Sequence, residues 1–514
     1  MKRICSVLIL SMLVFIGCGK ADELEKNAVR IDLSDDGIYV AGKTAETDTS
    51  NAVYVANDIV YYESGKDFTY GEGTEKDSHS VEEANAHTVV HITKPGRYVL
   101  SGELSLGQIA VDLGEDAETN PEAVVTLILK DVDITCEVAP AIIFYNVYEC
   151  CSSDEEKATK DIDTSKAGAN VIIADGTENN ISGSYVEKIY KSYELNEDGT
   201  EVVDSKKLHK YDGAFYSKKT MNISGGNKGN GILNIKAENE GLDSELHLTI
   251  NGGIINITSG NDGINTNEDN VSVTTMNGGT LNILCDGSTG EGDGIDSNGW
   301  LVINGGTVVA QACATSGDAG IDSDKGIYIN GGKVIASGNM LDHIAGGNQT
   351  YAVFSFANRQ NGNNTYTLKN SNKKVICEYT PVNDYTYLII AGDELVPGDY
   401  TFWQGTTQLA GSSMKNMQGG MQQGKRPERP QGEQDEKGTP PEVPDGMEKP
   451  EPPSGVRPQT PNGERPEMPE GIDNMTPPDN MGGNMMANGE TSSIFTIAKG
   501  GNLFANVCPV VSTQ

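Results

Sequence analysis

Acidic side chains recur in a short pattern through the middle of the sequence. The copies are Glu240-Gly241-Leu242-Asp243, Asp262-Gly263-Ile264-Asn265, Asp293-Gly294-Ile295-Asp296 and Ala319-Gly320-Ile321-Asp322. Turn formation explains an aspartate before a glycine, but it does not explain the second polar residue three positions later. If the aliphatic residues point inward, the pattern predicts two outward stacks. One is the strand column (Asp243, Asn265, Asp296 and Asp322), and the other is the turn column (Asp212, Glu240, Asp262 and Asp293).

Carboxylates stacked in this way need a counter-charge. Adjacent strands are about 4.8 Å apart, and two carboxylates at that separation repel by about 3–4 kcal/mol at an effective dielectric near 20. Ca²⁺ can offset the repulsion because it accepts six to eight oxygen ligands in loose geometry. The sequence therefore predicts a Ca²⁺ site. Its candidate ligands are Asp243, Asp262, Asn265, Asp293, Asp296 and Asp322.

A second repeat indicates what positions these acids. An Asn-Gly-Gly triplet begins at Asn251, Asn277, Asn304 and Asn330, at intervals of 26 or 27 residues. A nearly constant period of this size is typical of a stacked array. Short segments such as Ile255-Asn256-Ile257 alternate apolar and polar residues, which indicates strands. The prediction is an all-β fold, a parallel β-helix solenoid of about 26 residues per coil, right-handed by the crossover rule.

The rest of the chain divides by composition. Lys2 and Arg3 precede an apolar run, too short to span a bilayer, that ends at Gly17-Cys18. This start predicts export and a lipid anchor on Cys18, at the extracellular face of a bacterial membrane. The predicted organisation is a signal peptide over 1–17, a tether with some strand over 18–85, a coil domain over 86–346, a small antiparallel β region over 347–413, a disordered Pro/Met/Gly-rich segment over 414–490 and a strand-like tail over 491–514.

Charge and cysteine content exclude several classes of partner. The chain has 38 basic and 74 acidic side chains, a formal net charge of −36. Nucleic acid and anionic membrane surfaces both need a basic patch, so neither is expected, and membrane contact is expected only through the lipid anchor. The nine cysteines include no CxxC pair and no Cys/His cluster, so a zinc site is not expected either.

Several ordered motifs resemble a known family. Pro95–Gly102 reads PGRYVLSG, Leu127–Thr135 reads LILKDVDIT, and Ala174–Asn179 reads ADGTEN. Together with the Gly-Gly coils, they resemble the bacterial carbohydrate-binding domain-containing proteins (DUF4353) over roughly residues 80–410. The resemblance implies a right-handed parallel β-helix related in fold to polysaccharide lyases. It also implies export, Ca²⁺ binding, and non-catalytic binding of plant-wall polysaccharides such as polygalacturonate or cellulose.

The residues themselves favour binding over catalysis. Lyases on this fold need a lysine or arginine base, yet no arginine occurs between Arg97 and Arg359. Lys325 is the candidate base beside the acidic columns, and Trp300 and Tyr328 are candidate platforms for sugar rings. The predicted function is Ca²⁺-dependent binding of an acidic polysaccharide, with the cation bridging protein and uronate carboxylates. The alternatives are a Ca²⁺-dependent pectate lyase and a surface adhesin or assembly protein.

Overall fold

The computed structural model describes residues 23–414 and 490–510. The predicted signal peptide, Cys18 and nearly all of the 414–490 segment lie outside the described residues. The described chain is predominantly β, and most strand pairings in its large sheets are parallel. Within these two ranges, no helix is both long and apolar enough to cross a membrane.

The strands before the acidic repeat already include several parallel pairs. They are β1 (Val29–Leu33), β2 (Tyr39–Val40), β3 (Lys43–Thr44), β4 (Val53–Ala56), β5 (Thr88–Ile92), β6 (Gly96–Leu104), β7 (Gly107–Asp112), β8 (Val125–Cys136), β9 (Ile142–Asn146), β10 (Ala169–Ile173), β11 (Glu178–Gly183), β12 (Tyr190–Leu195) and β13 (Val202–Lys207). A short helix, α1 (Val81–Asn85), begins with a capping box between Ser80 and Glu83. Strand β1 pairs in parallel with β6, and β4 pairs antiparallel with β5. Part of the segment predicted as a tether therefore extends the sheets.

Three runs of parallel strands carry the repeat. The strands are β14 (Gly213–Ser217), β15 (Met221–Gly225), β16 (Ile232–Ala237), β17 (Glu240–Ser244), β18 (His247–Ile250), β19 (Ile254–Ser259), β20 (Ile264–Thr266), β21 (Val273–Met276), β22 (Thr280–Cys285), β23 (Ile295–Ser297), β24 (Trp300–Ile303), β25 (Thr307–Gln311), β26 (Gly326–Ile329), β27 (Lys333–Gly338) and β28 (Ile344–Gly346). The first run is β14-β17-β20-β23. The second is β15-β18-β21-β24-β26, and the third is β16-β19-β22-β25-β27.

Side-chain alternation and glycine turns explain these runs. In β19, Ile255 and Ile257 are buried while Asn256 between them is half-buried, as expected for a strand with one face on the core. The second glycine of a triplet makes the turn: Gly279 has φ +86°, and a Cβ there would lie 2.5 Å from the Gly253 carbonyl oxygen. Only glycine fits such a turn. The register of the runs follows from these pairings, whereas winding into a right-handed β-helix stays a prediction.

A mostly antiparallel region follows the repeat. Its strands are β29 (Tyr351–Gln360), β30 (Tyr366–Asn370), β31 (Val375–Tyr379), β32 (Tyr385–Ala391), β33 (Gly398–Gln404), β34 (Thr407–Met414), β35 (Thr491–Ser492), β36 (Phe495–Ile497) and β37 (Gly501–Pro509). Strand β32 pairs antiparallel with β27, the last strand of the third run. The tail returns, because β37 pairs with both β29 and β34. Stacked rings, including Phe354 with Phe402 and Phe504, fill the core of this region.

Candidate functional site

The first run places the strand column in register. Asp243 pairs with Asn265, and Asn265 pairs with Asp296. The backbone N–H of Asp322 donates to the Ile295 carbonyl oxygen at 2.7 Å, which continues the same register beyond β23, the last strand of the run. The four side chains therefore occupy equivalent positions in successive repeats.

Both columns, which were predicted to point outward from the coils, are buried. Asp243 is fully buried, and every other member of the two columns is at most 9% exposed. Lys210, at the end of the insertion over residues 185–211, reaches over this region and donates from Nζ to Asn267 Oδ1 at 2.5 Å. Asn267 in turn donates from Nδ2 to Asp243 Oδ1 at 2.5 Å. A long polymer cannot reach carboxylates that are buried to this degree.

Burial and mutual repulsion make ionisation of these acids costly. Burial foremost, and then the Glu240 and Glu245 carboxylates, raise the pKa of Asp243 well above its usual value. Burial and the Asp212 carboxylate raise the pKa of Glu240 to about 8. Burial alone would lower the pKa of Lys210, but the negative charges of the surrounding acids, Glu240 and Asp243 foremost, have a larger effect and raise it. One lysine offsets only part of the negative charge gathered around it.

Three buried oxygens in this region lack hydrogen-bond partners. They are Glu240 Oε2, Asp243 Oδ2 and Asn265 Oδ1. Asn265 Nδ2 donates to the other Glu240 oxygen, Oε1, at 2.9 Å, so these side chains are neighbours. Unpartnered buried oxygens are costly, and two carboxylates with an amide oxygen form a donor set that suits Ca²⁺. In the described ranges no three carboxylates of the columns converge within 4.8 Å, so Asn265 is needed for a third ligand.

Two of the predicted ligands also form hydrogen bonds that connect successive repeats. Asp262 Oδ1 accepts a hydrogen bond from the Asp293 backbone N–H at 2.7 Å. Asp293 Oδ1 accepts one from the Ala319 backbone N–H at 2.5 Å. Each acid therefore ties its turn to the next copy of the repeat, although burial and neighbouring acids also raise both pKa values well above the usual range.

A groove lies along the second run. Its floor follows a column of paired residues: Asn222, Thr249, Thr275 and Val302. One wall is the Asn ladder (Asn251, Asn277, Asn304 and Asn330). The other wall is residues 160–165 of the charged insertion, the acid- and lysine-rich segment over residues 148–169. The groove has a volume of about 520 Å³ and is lined chiefly by amide, hydroxyl and carboxylate groups. Thr249 and Thr275 each precede a ladder asparagine by two residues, which is the sequence signal that could have predicted this surface.

Two half-buried aromatic rings lie on the same sheet as the groove floor. Trp300 and Val302 share one face of β24, and Val302 pairs with Tyr328. Lys325 Nζ lies 5.0 Å from the centroid of the Trp300 ring, and Lys160 Nζ lies 5.2 Å from that of Tyr328. Both predicted platforms therefore lie on one face of the second run. The ammonium of Lys325, the candidate base, lies over the Trp300 ring.

Comparisons with known proteins agree with a sugar-binding role at the level of the family. A family model for carbohydrate-binding domain-containing proteins matches residues 86–377, more than half of the chain, and the chain belongs to this family. A search of curated proteins finds no match. Among solved structures, the chain is similar to the polysaccharide lyase-like protein from C. thermocellum, a gadolinium derivative, at 19% identity and a TM-score of 0.33. That match covers 62% of this chain and 99% of the other, and at this TM-score it carries no argument about activity.

Proposed function

We propose that the protein is a non-catalytic binding protein for acidic plant-wall polysaccharides such as polygalacturonate. In this proposal the chain is exported, anchored through a lipid on Cys18, and wound into a right-handed parallel β-helix. Membership of the carbohydrate-binding family supports a polysaccharide partner. The in-register parallel runs, with one strand of each run in four successive repeats, support the β-helix.

The groove beside the Asn ladder carries the proposal. It is open and elongated, and its amide and hydroxyl groups repeat at the strand spacing of about 4.8 Å. Such groups donate and accept hydrogen bonds and so match sugar hydroxyls. Trp300 and Tyr328 provide ring faces for the apolar faces of sugars. Lys160 and Lys325, which lie over these rings, suit the carboxylate of a uronic acid better than a neutral sugar.

Calcium has a structural role in this proposal. Glu240, Asp243 and Asn265 would hold the ion through the three oxygens that lack partners. Bound there, Ca²⁺ supplies positive charge that cancels repulsion among buried carboxylates. Because those carboxylates are buried, the ion would stabilise the first run rather than bridge to a uronate. Ca²⁺ dependence of polysaccharide binding would therefore follow from the stability of the repeat.

Sedimentation with insoluble polygalacturonate tests the groove. The double variant Trp300→Ala, Tyr328→Ala should bind at least tenfold more weakly, because loss of each aromatic anchor costs about 1–2 kcal/mol. Tyr193→Ala is the matched control: it removes a 46%-exposed ring on the hairpin strand β12 and should bind like the wild type. Unchanged affinity of a folded double variant would refute the two rings, and the face of the second run that carries them, as the binding surface.

Two further measurements distinguish the polymer and the chemistry. Lys325→Gln should weaken binding to polygalacturonate more than binding to cellulose, because only the first polymer carries carboxylates. Incubation with polygalacturonate and Ca²⁺ at alkaline pH should give no unsaturated product. A product that disappears in Lys325→Gln would instead establish a lyase.

A further inference from the structure

A cluster of sulfur and oxygen ligands lies at the start of the charged insertion, outside the site described above. Glu149, Cys150 and Cys151 place one carboxylate oxygen and two thiol sulfurs within 4.8 Å of one another. In the described part of the chain, this is the one place where three ligand atoms from histidine, cysteine or acidic side chains converge so closely. Both cysteines are free thiols and partly buried.

The spacing of the two sulfurs suits a shared metal ion. Cys150 Sγ and Cys151 Sγ are 3.4 Å apart. A Zn–S bond of about 2.3 Å in tetrahedral geometry separates two bound sulfurs by about 3.8 Å. Both sulfurs also lie within about 4 Å of the Asp163 carbonyl oxygen, so both point toward the same side of the insertion. Only a small adjustment of two side chains would bring them onto one ion.

The carboxylate of the cluster is held in place by hydrogen bonds. Glu149 Oε1 accepts from Thr220 Oγ1 and from the Cys151 backbone N–H, both at 2.8 Å. Glu149 Oε2 accepts from the Thr220 backbone N–H at 2.8 Å. Metal-ligating carboxylates are typically oriented by such partners, so the acidic member of the donor set is already fixed.

A histidine from the second run completes the surroundings of the cluster. His247 is buried, and its Nδ1 accepts a hydrogen bond from the Val273 backbone N–H at 3.0 Å. The neutral ring therefore carries its proton on Nε2, and it interacts with the Cys151 thiol. A ring in this tautomer has no free lone pair for a metal. It acts instead as a positioning residue that donates a hydrogen bond to a metal-bound thiolate.

We propose that Glu149, Cys150 and Cys151 bind a thiophilic divalent cation such as Zn²⁺, with His247 as a hydrogen-bond donor to the Cys151 sulfur. Three protein ligands leave a fourth position for water. Binding forms two metal–sulfur bonds and releases the two thiol protons to solvent. The site is distinct from the acidic columns in its chemistry, because thiolates select Zn²⁺ and similar ions over Ca²⁺.

Metal titration of the reduced full chain tests this site directly. With both thiols shown to be free by thiol titration, one equivalent of Co²⁺ should give sulfur-to-metal charge-transfer absorption in the near ultraviolet. Zn²⁺ should displace the Co²⁺, and excess Ca²⁺ should not. Cys150→Ser and Cys151→Ser should each abolish the charge-transfer signal or reduce it at least by half.

Matched variants distinguish residues that bind the metal from residues that only lie near it. Cys508→Ser removes another partly buried thiol and should leave metal uptake unchanged. His247→Gln should keep the stoichiometry but weaken Zn²⁺ binding by about 10–100-fold, the usual effect of losing such a partner. The proposal is overturned if the reduced chain takes up no Co²⁺ or Zn²⁺, or if the double serine variant takes up as much as the wild type. It is also overturned if Cys150 and Cys151 form a disulfide and the re-reduced chain binds no metal.

Discussion

Two kinds of polar stack, amide and acidic, recur once in each repeat of this protein, and their energetics are opposite. In the Asn ladder, each Nδ2 donates to the Oδ1 of the preceding asparagine at 2.8–2.9 Å. In the two acidic columns, by contrast, Glu240 Oε2 and Asp243 Oδ2 have no partner although both are buried. The asparagines of the ladder therefore satisfy one another's hydrogen-bonding groups, whereas the carboxylates of the acidic columns need protons or positive charge from outside the columns.

The difference arises from the side-chain chemistry rather than from the register. An amide carries both donors and acceptors, so identical copies can bond to one another at the strand spacing. An ionised carboxylate only accepts, so identical copies at the same spacing repel. Lys210 supplies one positive charge in this region. Protons or a divalent cation must supply the rest.

Stability without divalent ions should fall steeply as the pH rises, the largest effect that we expect. Glu240 has an ordinary pKa of 4.5 that folding raises to about 8, and the pKa values of Asp243, Asp262 and Asp293 are also raised. Between about pH 4.5 and 8 the folded state therefore holds more protons than the unfolded state, so the free energy of unfolding decreases with pH. The decrease is about 1 kcal/mol per pH unit for each group in its titration range. Urea unfolding in chelator at pH 5 and pH 8 measures it.

The double variant Glu240→Gln, Asp243→Asn tests whether the acidic columns cause this pH dependence of stability. It removes two of the acids whose pKa values are raised by folding, so its free energy of unfolding should decrease less than that of the wild type between pH 5 and pH 8. A wild-type stability that is flat or increasing over this interval would contradict a charge deficit in the acidic columns.

Much of this arrangement could be predicted from the repeat alone. The near-constant period and the alternation of apolar residues predict parallel strands in register, and the pairing of Asp243, Asn265 and Asp296 follows. The sequence also predicts the turn at Gly279, because the glycines of an Asn-Gly-Gly triplet tolerate the positive φ that such a turn requires. Local patterns are informative when each repeat contacts only its neighbours.

The insertions carry what the repeat could not predict. Lys210 covers the acidic columns from one insertion, and Lys160 forms part of the groove from another. The contact between Cys151 and His247 joins residues that are far apart in the sequence, and a search for short Cys/His spacings misses it. No periodicity fixes where such segments fold back, since their placement depends on tertiary contacts. Whether the acidic residues bind a metal stays a prediction.

Calcium should reverse part of the loss of stability at pH 8. At a free concentration of one hundred times its dissociation constant, a ligand that binds only the folded state adds about 2.7 kcal/mol. Thermal unfolding with Ca²⁺ and with chelator should therefore differ by several degrees. The Glu240→Gln, Asp243→Asn variant should lose this response, because it removes both carboxylates of the proposed donor set.

A second double variant tests whether removing two negative charges is enough to abolish the Ca²⁺ response. The double variant Asp286→Asn, Glu291→Gln removes the same number of charges from two exposed acids in the repeat, and it should keep the full Ca²⁺ response. If both double variants respond like the wild type, the stabilising ion binds elsewhere or binds nonspecifically.

A single acid placed in the Asn ladder should have the smallest effect. Asn277→Asp removes the donor to Asn251 Oδ1 but keeps the acceptor that Asn304 Nδ2 uses. The position is exposed, so water replaces the lost bond, and urea unfolding should show a decrease of about 1 kcal/mol or less. Asn251→Asp is the matched control, because the ladder uses only the carbonyl oxygen of Asn251, and its stability should stay near that of the wild type. Asn277→Asp could instead lower the free energy of unfolding by several kcal/mol, with Ca²⁺ restoring it. That result would mean that a stacked carboxylate is costly even where water can solvate it.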